Sequence, residues 1–88
     1  MANIESQKKR NRQNEVARQR NRAMASELKT RSRTAIEAAE AGDAAAAQEA
    51  LRMAQKRIDE AASSGLLHKS TAARRKSRLA KQVANTLG

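Results

Sequence analysis

Seven bases crowd fifteen residues near the start of the chain: Lys8, Lys9, Arg10, Arg12, Arg18, Arg20 and Arg22, against the single acid Glu15. Ammonium and guanidinium groups at this density repel one another in water. What they do efficiently is neutralise phosphates, releasing condensed counterions. Placed on a helix they point in several directions, with Lys9 and Arg20 well away from the side of Arg18. A membrane-surface helix confines its bases to one face, opposite bulky apolar residues, so a partner that surrounds this segment fits better than a bilayer. Asn11, Gln13, Asn14, Gln19 and Asn21 interleave with the bases and can hydrogen-bond sugars, phosphates or base edges.

A second block follows near the end: Lys69, Arg74, Arg75, Lys76, Arg78 and Lys81, with no acid after Glu60. Arg74, Arg78 and Lys81 recur about once per helical turn, which suits a row of phosphates. Lys76 falls near the apolar side, where its stem covers the core and its charge snorkels outward. A surface evolved only for solubility mixes in carboxylates; this one has none. Residues 1–34 hold ten bases and three acids, residues 35–60 three and six, and residues 61–88 six and none, which accounts for the net charge of +10. Basic ends around an acidic middle give one side facing a polyanion and one side facing water.

Catalytic groupings are missing. Cysteine is absent and His68 is the only histidine, so no disulfide framework, thiolate nucleophile or protein metal site is expected. His68 precedes the third helix, where a helix cap, a phosphate contact and a plain loop residue are all open readings. Glu37, Glu40, Asp43 and Glu49 read as a solvated face and helix-start charges, and no glycine-rich phosphate loop occurs. The chain also lacks Phe, Tyr and Trp. Single-strand readers stack bases on aromatic platforms, so recognition here must run through phosphates, sugars and shape. Structured RNA suits that description, and duplex DNA is not excluded.

The elements that must position these groups are helices. Proline is absent and glycine occurs only at 42, 65 and 88. Gly42-Asp43 reads as a helix end followed by an N-cap, and Ser70 or Thr71 as the cap of a third helix. The expected helices run over about 5–40, 44–63 and 71–86. At ~1.5 Å per residue they measure about 54, 30 and 24 Å.

Each helix has an apolar face: Ala17, Met24, Leu28, Ala35 and Ala39; then Ala47, Leu51, Ala54, Ile58 and Ala61; then Ala72, Leu79, Ala80, Val83 and Leu87. On the first helix Arg12, Arg18, Arg22, Lys29 and Arg33 fall largely across from that face. Short connections then predict an all-α, three-helix bundle with a long, protruding basic first helix. It is one domain over residues 1–88, with residues 1–22 a basic extension and residues 23–88 the bundle. Residues 5–22 have almost no apolar groups beyond Val16 and Ala17, so this stretch is expected to fray in the free protein and order on its partner.

With 88 residues and an apolar fraction of 39% that is mostly alanine, the core is small and the isolated fold marginal. No apolar run approaches a membrane span, and the N-terminus lacks a signal peptide's apolar stretch. It loosely resembles a transit peptide, but the basic pattern continues past residue 30, so it reads as mature protein.

The opening MANIESQKKR, the AGDAAAAQ turn and the later GLLHKSTAARRKSRLAKQ resemble the bacterial small-subunit ribosomal protein number twenty family, over essentially the whole chain. The last of these segments is the specific one. Relatives often carry an aromatic residue in the first two helices, and this chain has none, a departure that bears on core packing.

The resemblance implies a cytoplasmic, non-enzymatic constituent of the small ribosomal subunit, monomeric there, with few or no protein neighbours, no cofactor and no membrane contact. It implies direct binding to small-subunit ribosomal RNA, mainly the 5′ domain and also the long penultimate helix, and stabilisation of that RNA during assembly. By position it implies contacts through Lys8, Lys9, Arg10 and Arg12, and through His68, Lys69, Arg74, Lys76 and Arg78. Two alternatives remain. A histone-like DNA-compacting protein shares the charge but would usually need a dimer surface, and no apolar face is spare. An amphipathic membrane-active or partner-binding helix would respond to anionic vesicles.

Overall fold

Gly42 and Gly65 divide the chain into three helices, and both do so by the same device. Each sits at positive φ, 77° and 86°, just past a helix end. The following amides fold back: Asp43 N donates to Ala38 O at 3.1 Å, and Leu66 N to Ala61 O at 3.0 Å. These are Schellman closures, which place the residue after the helix in the left-handed region. No neighbouring atom lies where a Cβ would go at either position. The backbone angle, not crowding, therefore calls for glycine.

The computed structural model of the chain describes residues 2–88, with side-chain environments for all of these but residues 2, 3 and 5. The helices are α1 (Ala2–Glu40), α2 (Ala44–Ser63) and α3 (Lys69–Leu87), and no described residue lies in a strand. The all-α bundle with a long first helix matches the sequence reading. Asp43 caps α2 as its type suggests, its side chain accepting from Ala46 N at 3.1 Å.

Helix α3 departs from expectation. It begins at Lys69, two residues earlier than predicted, and its cap is His68 rather than Ser70 or Thr71. His68 Nδ1 accepts from Ser70 N at 3.2 Å and lies 2.9 Å from Ser70 Oγ. An imidazole nitrogen is thus doing what a Ser or Asp oxygen does at most helix starts.

The three helices share a narrow core in two clusters. One gathers Ala35, Ala39, Ala47, Ala54, Leu79 and Val83; the other Leu28, Ile58, Ala61 and Ala72. Of the predicted stripes, Ala17, Met24, Leu51, Ala80 and Leu87 are only half-buried. Leu51 therefore flanks the core instead of centring it, and Ile58 and Val83 are the largest fully buried side chains. Ile36 packs against the first cluster, a contact the narrow stripe on α1 omitted.

Ion pairs join the helices at the rim. Lys76 Nζ lies 2.8 Å from Asp59 Oδ1, linking α3 to α2. Arg57 Nε lies 3.0 Å from Glu27 Oε1, linking α2 to α1, while its terminal nitrogen donates to Glu60 at 2.9 Å. The Nε–H is not aimed at Glu27, since this buried atom has no hydrogen-bond partner. That link is a charge contact only.

The cores span residues 24–87, so the start of α1 projects beyond them. Among residues 6–22 only Ala17 is even half-buried, and Val16 is 63% exposed. The molecule measures 64 × 22 × 13 Å, with a radius of gyration of 17.4 Å. A compact chain of this length would have a radius of about 12 Å. The projecting helix makes the difference.

Candidate nucleic-acid interface

Arg18, Arg22, Lys29 and Arg33 are spaced 4, 7 and 4 residues apart. An eleven-residue step closes three turns almost without drift, so Arg18 with Lys29, and Arg22 with Arg33, keep one phase along α1. At ~1.5 Å per residue the row extends about 22 Å. It begins on the projecting segment and continues onto the bundle.

The bundle places α3 beside that row. A groove between α1 and α3 is lined by Arg22, Lys29 and Arg33 from one wall and Arg75 from the other. Leu28, Ser32 and Ile36 line it too, and an adjoining depression shares these with Arg75 and adds Ile58, Leu79, Arg78 and Gln82. Arg22, Lys29, Arg33, Arg75 and Arg78 are all exposed, and no carboxylate among the described residues pairs with any of them. Two basic blocks separated by some forty residues of sequence thus meet across one cleft. Chemically, such a groove can grip phosphates from both sides, with Ser26 and Ser32 available to hydrogen-bond the backbone.

The remaining candidates sort into three places. Lys8, Lys9, Arg10, Arg12 and Arg20 are exposed around the projecting part of α1. Arg18 is there too, loosely paired with Glu15 at 3.7 Å, an exposed contact of little energetic weight. Arg74 and Lys81 lie exposed on α3; Lys81 shares a shallow depression with Arg78. His68 and Lys69 stand exposed at the start of α3, where His68 is occupied as the cap.

Lys76 alone turns away from the rest. It points toward α2 and Asp59, so its charge is satisfied within the protein. Sequence reasoning missed Ser26, Ser32 and Gln82, polar groups lining the groove. Helical phase relative to Arg22 and Arg33 was the signal that would have found Ser26. It also missed that Glu37 and Glu40 line the same groove as the bases.

Among the described residues no group of three His, Asp or Glu side chains comes together to hold a metal ion. No described helix is long and apolar enough to cross a membrane.

Comparison with known proteins adds a family. The model of the family described as ribosomal protein S20 matches residues 2–84. The small ribosomal subunit protein bS20 of Beutenbergia cavernae is 58% identical over 83 residues, covering 94% of this chain and 96% of that protein. The bS20 protein of Kineococcus radiotolerans is 56% identical over 96% of this chain and 98% of its own. That of Streptomyces avermitilis is 53% identical over 88 residues, the full length of both.

Proposed function

Since the chain belongs to the ribosomal protein S20 family, we propose that it is a structural, non-enzymatic constituent of the small ribosomal subunit, in the cytoplasm, that works by direct binding to small-subunit ribosomal RNA. The observation that carries the binding mode is the α1/α3 groove, where Arg22, Lys29 and Arg33 face Arg75 with no acid pairing among them.

In this reading the groove and the outer face of α3 hold one RNA segment through its phosphates. The projecting start of α1, with bases on all sides, enters a second segment. Tying two segments to one helix lowers the cost of bringing them together, and so stabilises the RNA fold during assembly. The 5′ domain and the long penultimate helix are the segments proposed. Helix α2 turns outward with mixed charge, exemplified by Arg52 beside Glu49 at 3.5 Å. Such a surface suits water and few protein neighbours.

The test is a competition titration across a salt series. Labelled RNA from the small-subunit 5′ domain competes with unrelated folded RNA and with duplex DNA. A preference for the ribosomal fragment that survives rising salt is the expected result. Equal affinities that collapse together would leave a generic polycation and favour the DNA-compacting alternative.

A further inference from the structure

The basic groove ends in acid. Glu37 and Glu40 line it together with Arg22, Lys29, Arg33 and Arg75, and both are exposed, with no ion-pair partner among the described residues. Arg33 stands four residues before Glu37, the spacing of a helical ion pair, yet the two are not joined. Asp43, close by, is committed to capping α2.

Helix ends meet at the same place. Helices α1 and α3 run the same way, because Leu28 shares a cluster with Ala72, and Ala35 and Ala39 share the next with Leu79 and Val83. Both C-termini therefore lie at the Glu37–Glu40 end, together with the N-terminus of α2 capped by Asp43, whose positive end partly offsets their negative ones. An anion following the groove from Arg22 toward Arg33 meets three bases and then two unpaired carboxylates.

We propose that Glu37 and Glu40 are specificity determinants. They bind nothing; they close the phosphate track after Arg33 and so fix how far, and in which direction, a nucleic-acid backbone can lie along α1. A track basic over its whole length would accept any phosphodiester strand in many registers. One with a repelling end rejects strands that must run on past it, which is discrimination by like-charge juxtaposition. This rests on the RNA-binding reading above and adds a boundary to it.

The test pairs two charge-matched variants. Glu37→Gln with Glu40→Gln raises the net charge by two at the groove end. Glu49→Lys raises it by the same amount on the exposed face of α2, away from the groove. All three proteins are titrated with 5′-domain ribosomal RNA, unrelated folded RNA and duplex DNA at two salt concentrations, with circular dichroism confirming equal helix content. The Gln pair is expected to tighten binding of unrelated RNA and duplex DNA by about three- to tenfold and to reduce the preference for the ribosomal fragment. Glu49→Lys is expected to leave that preference in place.

Equal effects of the two variants on all three ligands, or no effect of the Gln pair, overturn the boundary. If wild-type protein itself shows no preference for the ribosomal fragment, the functional reading fails and the boundary goes with it. Glu37→Lys is the second variant. It should go further, adding a phosphate contact and steepening the salt dependence of unrelated RNA by about 0.7–0.9 in log–log slope.

Discussion

Arg75 and Lys76 are sequence neighbours of similar charge, yet they do different work. One helical step of ~100° separates them. Arg75 lines the groove with the α1 bases, while Lys76 is drawn to Asp59 at 2.8 Å. Arg75→Glu with Arg78→Glu should therefore weaken RNA binding by tenfold or more with helix content unchanged, read by titration beside circular dichroism. Unchanged affinity would refute the groove. Lys76→Ala should act instead on the α2–α3 contact, and weakly, as a part-exposed ion pair does. At His68 the cap predicts a stability effect separate from any RNA contact. Replacement by alanine should cost about 1 kcal/mol, the usual worth of an N-cap. That corresponds to a fall in melting temperature of roughly 4–8 °C for a domain this size. Asn or Asp at the same position should retain the cap, and a melt as low as alanine's would show that the imidazole does not act there.

The helices themselves were legible. Gly42 and Gly65 stand where α1 and α2 end, and Asp43 caps α2, because glycine at positive φ and a short acidic side chain act through their own few residues of backbone. The start of α3 was misplaced by two residues, since histidine is an uncommon cap and Ser70 beside it is a common one. The core was legible in period but not in depth. Leu51 and Ile58 share one stripe of α2, yet Ile58 is 2% exposed and Leu51 remains half-buried. Depth depends on how closely the neighbouring helix approaches, and the alanines of α1 and α3 set that. Ile58→Ala should cost about 2–5 kcal/mol, enough to unfold much of so small a domain, and Leu51→Ala clearly less. Thermal melts of the two variants compare them directly; a larger loss at Leu51 would refute the observed depth.

At the scale of the molecule, the governing feature is the mismatch in helix length. Helix α1 has 39 residues against 20 and 19 in its partners, so about half of it has nothing to pack on. Removing residues 1–21 should thus leave the melting temperature of the bundle within a few degrees while greatly lowering RNA affinity. A large loss of stability would mean that the projecting segment contributes to the core. We further propose that this segment gains order on RNA. Helix content by circular dichroism should then rise on titration with the 5′-domain fragment, and a flat signal would indicate that α1 is already formed along its length in the free protein.

The sequence by itself determined the helical class, the breaks between helices, the excess length of the first and the two basic blocks. All of these are local or additive: they follow from periodicity, capping chemistry and counts of charge. Only the tertiary structure decided that Arg22, Lys29 and Arg33 face Arg75 across one groove and that Lys76 is turned to Asp59. Those facts depend on the rotation of α3 about its own axis and its height against α1. Close packing of small side chains such as Ala35, Ala39, Ala72 and Ala54 sets both, and a run of alanines records neither angle nor height until the helices meet.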